Sequence, residues 1–289
     1  MTATLLSLHS YPVKSCAALN HEQVSISQSG LFLDRHWVVV SESGTFLTQR
    51  SHPRMALIQP ALQQHDLTLS APGMPPLHVP WLTDTDTPDA IPVRIWSSNT
   101  LGFDEGPEAA HWLSGFLETP CRLLRVHPTA ERLASPEHLN AWRVQHGHQA
   151  PNLPASHRFG FADGFPFLVA FTASLDQLNH DIAASGHAPV PMNRFRPNLV
   201  ISGTQAFEED FLAGLRIGTL TFAFVKACTR CTVPDIDQTT AQRGAEPGLT
   251  LAQTRQSHEG TLFGCNAVVA GTHPGSTLAT GLDVQLLYA

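Results

Sequence analysis

The run Leu220-Thr221-Phe222-Ala223-Phe224-Val225-Lys226-Ala227-Cys228-Thr229-Arg230-Cys231-Thr232-Val233-Pro234-Asp235 joins a mostly apolar segment to two cysteines and two cations. The β-branched and aromatic residues of Leu220 to Val225 predict a buried strand, and Pro234 predicts a loop beyond it. The strand would therefore deliver both thiols into a turn. Thiolate is the form of cysteine that binds metals or attacks electrophiles, and the cations at Lys226 and Arg230 favour it. Several readings fit. Zinc takes about four ligands and no second cysteine pair of this spacing occurs. A dithiol redox couple usually opens a helix after a strand, whereas a loop is expected here. One thiolate could ligate a transition metal whose other ligands belong to a cofactor. Two packed structural thiols are the remaining reading.

The segment Met192-Asn193-Arg194-Phe195-Arg196-Pro197-Asn198-Leu199 precedes another apolar run. Arg196 and Asn198 flank Pro197, so an extended chain would point both to one face. Upstream, Phe159 to Phe171 reads as a turn entering a strand. Ser174 and Gln177 suggest a capping box for a helix striped by Leu175, Leu178 and Ile182 and stopped at Gly186. The junction Thr172-Ala173-Ser174 would present backbone N–H groups and hydroxyls to an anion. Gly260 to Val269 and Val284 to Leu287 read as closing strands.

In the first half, Thr4 to His9 is a short strand broken at Pro12, just before Lys14 and Ser15, which could hold an anion. Asp34 and Arg35 enter the apolar run Trp37 to Val40, where they could pair or Arg35 could grip a phosphate or carboxylate. Ser43-Gly44 predicts a hairpin. Met55 to Ile58, Leu67 to Ser70, Leu77 to Val79 and Val93 to Trp96 are expected strands of a small barrel or sandwich. Pro107 opens a helix with the stripe Ala109, Trp112, Leu113, Phe116 and Leu117, and Cys121 to Val126 returns to strand. Residues 127–157 have the least pattern and read as a connection or lid. His146-Gly147-His148 has no third ligand nearby in the sequence.

With 289 residues, 42% hydrophobic and 14% charged, and with 22 prolines and 20 glycines, the chain is expected to be globular, strand-rich and loop-rich. A formal charge of −7 argues against a nucleic-acid polymer as partner. No apolar stretch approaches the roughly 18 residues of a membrane span, and no secretory signal pattern opens the chain. Five cysteines, sparse and odd in number, are expected to be reduced, which suggests the cytoplasm.

Taken together, Tyr-Pro-Val-Lys-Ser, Asp-Arg-x-Trp, Leu-Thr-Gln-Arg, Phe-Ala-Asp-Gly-Phe-Pro, Arg-Phe-Arg-Pro-Asn and Cys-x-Arg-Cys resemble the MOSC superfamily. More closely, the chain resembles its two-part group, which includes the mitochondrial amidoxime-reducing component. That resemblance implies a mixed α/β, β-rich fold. An N-terminal MOSC-type β-barrel domain would span 1–126, a connection or lid 127–157, and the MOSC domain 158–289, the two domains packing intimately with a few helices. It further implies a molybdenum cofactor ligated by Cys231, with cofactor contacts from Lys14, Ser15, Arg35, Arg196, Asn198, Thr229 and Arg230, and from Thr172 and Ser174 by weaker local likeness. The implied reaction reduces N-hydroxylated substrates (hydroxylamines, N-hydroxylated bases, amidoximes). No ferredoxin-type Cys-x4-Cys-x2-Cys cluster is present, so electrons are expected from a separate donor, a flavin reductase with a haem or iron–sulfur carrier. A cofactor carrier or sulfur-transfer module without turnover is the alternative, with Cys231 or Cys228 accepting the sulfur. Cys228 itself is expected to be a packed structural thiol.

Overall fold

The strand predicted at Leu220 to Val225 forms, buried on both faces, and runs on to Thr229, so that Cys228 lies within it and only Cys231 in the turn beyond. In a computed structural model, which describes residues 2–80 and 89–289, the reason is visible on either side. Leu220, Phe222 and Phe224 point into a barrel, where Phe222 meets Phe167 edge-on at 5.3 Å and Phe224 meets Phe171 at 6.3 Å. Ala223 and Val225 point outward, under Leu139 and Trp142 of a covering helix. Both faces are apolar because both are covered, so the strand lacks the alternation of a half-exposed one.

Seven strands close this barrel. In order they are Phe167–Phe171, Leu199–Ser202, Ala3–Ser10, Asp283–Tyr288, Leu212–Ile217, Leu220–Thr229 and Gly260–Ala270, the last pairing back onto the first. One neighbouring pair, Phe167–Phe171 with Leu199–Ser202, is parallel. A parallel pair needs a crossover, and the connection carries helix α3, Thr172–Ala184.

The N-terminal strand crosses the division expected at residue 126. Ala3–Ser10 pairs with Leu199–Ser202 and touches Asp283–Tyr288, and Gln23–Ser27 pairs with Thr277–Ala279. The start of the chain thus completes the barrel built by its end. The rest of the first half makes a four-stranded antiparallel sheet, ordered Trp37–Ser41, Cys121–Val126, Ser98–Asp104, Ile91–Ile95, and a three-stranded meander, Gln59–Leu62, Asp66–Ser70, Leu77–Pro80. Helix α1, Pro107–Leu117, lays Trp112, Leu113 and Phe116 into the core shared by both sheets.

Several expectations change in detail. Met55 to Ile58 is not a strand: Pro53–Leu57 forms a 3-10 turn, because Pro53 pre-sets its first dihedral and Met55 and Ile58 are both buried one turn apart. The Ser43-Gly44 hairpin forms, but its return arm is a single bridge, Val40 to Phe46. Between the expected strands Leu77 to Val79 and Val93 to Trp96, residues 81–88 lie outside the described residues. Residues 127–157 contain a regular helix, α2, Pro136–His146, capped by Ser135 and packed on Leu220–Thr229. Helix α4, Gly248–Thr254, precedes the strand Gly260–Ala270. Among the described residues no helix is long and apolar enough to cross a membrane.

Candidate functional site

The strand Leu220–Thr229 does not end flush with its neighbour. Its register against Gly260–Ala270 shifts between Phe224 and Lys226 and again between Ala227 and Thr229. Such bulges bend a strand and re-aim its side chains, and here they turn Cys228 to Cys231 out of the barrel wall. They face a cleft of about 520 Å³ between the barrel and the N-terminal unit. Eight of the ten expected site residues line it: Lys14, Ser15, Arg35, Arg196, Asn198, Thr229, Arg230 and Cys231.

Three of these hold left-handed backbone conformations, with φ of 68° at Ser15, 46° at Arg35 and 58° at Arg196. Each such non-glycine conformation costs on the order of 1–3 kcal/mol and persists only where surrounding contacts fix it. Those contacts are present. The Arg35 guanidinium donates to Asp34 at 2.6 Å, to Asn198 Oδ1 at 2.9 Å and to the Arg196 carbonyl at 3.3 Å. Arg35 and Arg196 both stack on Tyr11, at 4.3 and 4.2 Å from its ring centre. Burial, outweighing the two guanidinium groups, pushes the Tyr11 phenol up to about 12, so it remains a neutral donor to the Pro197 carbonyl. Gln49 donates to the Ser15 carbonyl at 2.8 Å and pairs with Gln238, which in turn accepts from Arg196.

The left-handed backbone of Arg196 also corrects the expected extended arrangement around Pro197. Arg196 and Asn198 share the cleft wall through a turn, ahead of the strand that starts at Leu199. Asn198 is fully engaged: its Oδ1 accepts from Arg35 and the Leu168 N–H, and its Nδ2 donates to the His9 carbonyl.

The cleft concentrates positive charge in a chain whose formal charge is −7. Besides Lys14, Arg35, Arg196 and Arg230, it is lined by Arg50, Arg132 and Lys226, against a single carboxylate among the described residues, Asp163. Asp163 accepts from Lys14 at 2.6 Å and from the Trp96 indole at 2.8 Å. Desolvation inside the cleft opposes its ionisation, but Lys14, Trp96 and Arg35 outweigh this and hold the carboxyl well below the usual carboxylate range, although the side chain itself is 72% exposed. Burial lowers Lys14 while Asp163 opposes that shift. Arg132 donates to the carbonyls of Gly160, Ala162 and Asp163, fixing the loop that carries the acid.

The two cysteines differ. Cys231 is exposed. Cys228 is half-buried and receives a hydrogen bond from Arg230 at 3.1 Å, so it lines the cleft instead of packing in the core as expected. Arg230 is also anchored through the Phe195 and Thr261 carbonyls, and its buried Nε has no partner among the described residues. Cys16, Cys121 and Cys265 are buried, and burial raises each thiol, Cys16 to about 12.

Thr172 and Ser174 are not in the cleft. Thr172 lines an adjoining cavity of about 440 Å³, which Arg196 also borders. Helix α3 already begins at Thr172, which places Ser174 inside its first turn instead of at the cap. The Ser174 hydroxyl is buried, accepts from the Phe207 N–H and commits its proton to Glu209 at 2.6 Å. Arg50, Trp96, Arg132 and Asp163 were missed as site residues. Asp163 sits in a quoted motif and Trp96 at a predicted strand end, whereas Arg132 lies in a segment without periodicity.

Residues 2–120 match the family model described as the MOSC N-terminal beta barrel domain, and 156–285 match the MOSC domain. The mitochondrial amidoxime-reducing component 1 of Mus musculus is 32% identical over 98% of this chain and 82% of its own length. The chain belongs to the MOSC family. The human amidoxime-reducing component 1 is likewise 32% identical, over 88% of this MOSC protein and 72% of the relative. The human molybdenum cofactor sulfurase is 30% identical over 87% of the chain, which spans only 28% of that longer protein.

Proposed function

We propose that this MOSC protein binds a molybdenum–pterin cofactor in the cationic cleft, with Cys231 as its metal ligand, and reduces N-hydroxylated compounds. One observation carries the reading: among the described residues, the exposed Cys231 thiol shares a single cleft with seven cations and one carboxylate. Those groups suit a cofactor that offers a phosphate to cations and a soft metal to a thiolate. The buried Nε of Arg230, the residue before Cys231 in the chain, has no partner among the described residues and fits an acceptor from a bound group.

Lys14, Ser15, Arg35 and Arg196 would hold the phosphate end, and Asn198 would act through Arg35, which it already orients. Thr229 and Arg230 would hold the turn that presents Cys231. When bound, the cofactor supplies two-electron redox chemistry. The overall reaction, R–NH–OH + 2 e⁻ + 2 H⁺ → R–NH₂ + H₂O, needs electrons from a donor protein, a flavin reductase acting with a haem or iron–sulfur carrier. A reducing compartment such as the cytoplasm suits the five unpaired cysteines.

The names of the amidoxime-reducing relatives favour turnover. Those of the sulfurases favour a second reading, a cofactor carrier or sulfur-handling module. The deciding experiment supplies cofactor-loaded protein with hydroxylamine and a reduced viologen dye as electron source. Dye oxidation that is abolished in Cys231→Ser supports the reductase. Bound molybdenum without dye oxidation supports the carrier.

A further inference from the structure

Trp96 occupies a position that local rules would give to another residue. The strands Ile91–Ile95 and Ser98–Asp104 pair with Ser98 opposite Ile95, so Trp96 and Ser97 form a two-residue hairpin turn. Such turns favour Asn or Gly at a left-handed first position. Trp96 stands there with φ of 56° and its side chain 46% exposed, although a bulky residue is strained in this region. A breach of local preference with no gain in core burial points to function.

The indole is held in place on several sides. Its N–H donates to Asp163 at 2.8 Å, the Arg50 guanidinium covers one face at 4.1 Å, and Phe46 meets it edge-on at 5.2 Å. All four residues line the cationic cleft. An aromatic ring that is both exposed and immobilised is suited to stacking, because the entropy of ordering it has already been lost.

We infer that Trp96 is the specificity-determining platform of the cleft, stacking the ring of planar, conjugated N-hydroxylated substrates and so favouring them over small aliphatic ones. The assignment of a reducible substrate rests on the reductase reading, whereas the stacking of a planar ring does not. Arg50 orients the indole from one face, leaving the other for the ring of the substrate, and Asp163 holds its edge.

The test compares N-phenylhydroxylamine with N-methylhydroxylamine on cofactor-loaded wild type and Trp96→Asn, a variant suited to the left-handed turn. Molybdenum per chain is measured on both proteins. The expected result is a drop of about 3- to 10-fold in kcat/KM for the phenyl probe, carried by KM and larger than any loss for the methyl probe, with the molybdenum content unchanged. Equal loss for both probes, or loss of molybdenum, overturns the inference, the latter by making Trp96 a cofactor contact. Saturation-transfer NMR with aniline, which is not turned over, reads stacking without activity. Weaker transfer in Trp96→Asn is expected, and equal transfer overturns the platform. If wild type reduces neither probe yet aniline binding depends on Trp96, the reductase reading fails while the platform stands.

Discussion

At the scale of single residues, the cleft is assembled by side chains that fix one another. Asp34 is the clearest case: its side chain is 2% exposed, and it accepts from the Arg35 guanidinium and the Tyr11 N–H. Removing Arg35 would strand a buried carboxylate, so Arg35→Ala should destabilise the fold by about 3–5 kcal/mol. Urea denaturation measures this, and an Asp34→Asn/Arg35→Ala double variant should recover part of the loss. Glu209 offers a pH-dependent counterpart. Burial raises its carboxyl to about 7 from an ordinary 4.5, against the opposing hydrogen bond from Ser174. The folded state therefore binds a proton that the unfolded state has already released. Stability from this group is complete below about pH 4.5 and is lost as pH rises through about 7, a change on the order of 3 kcal/mol. Denaturation midpoints measured from pH 5 to 8 should fall in wild type, and Glu209→Gln should flatten that fall.

At the scale of elements, legibility followed periodicity. Helix α1 was readable because Pro107 opens it and five buried apolar residues recur at helical spacing. Helix α2 was not, since it buries only Leu139 and Trp142 and leaves Val144 exposed. Its start was still written locally, with Ser135 before Pro136 and Glu137. Ser135 accepts from the His138 N–H, so Ser135→Ala should cost about 1 kcal/mol, and thermal unfolding would register the loss. The opposite error arose at Ser174, where a capping pattern was present but Glu209, distant in sequence, claimed the hydroxyl. The cysteine turn was legible as a site because its apolar strand, thiols and cations lie together in sequence. Arg132 acts through loop carbonyls 28 or more residues away and left no such signal.

At the scale of the molecule, the order of the chain and the order of the barrel disagree. The strand Ala3–Ser10 sits between strands from the far half, a placement set by pairing over nearly two hundred residues and invisible to local pattern. The barrel half expressed alone, as 127–289, would lack that strand and leave two edges open. It should therefore fail to fold, giving poorly dispersed NMR spectra, and a synthetic peptide of residues 2–22 should restore dispersion. The same crossing brings Lys14 and Ser15 to the cleft opposite Cys231, so one site draws on both ends of the chain. The central proposal is that Cys231, and not Cys228, would ligate molybdenum when the cofactor is bound. X-ray absorption at the molybdenum edge of the loaded protein tests it directly, comparing wild type with Cys231→Ser and Cys228→Ser. The account predicts one sulfur ligand fewer in Cys231→Ser and an unchanged count in Cys228→Ser. An unchanged sulfur count in Cys231→Ser, or a lost sulfur in Cys228→Ser alone, would contradict it.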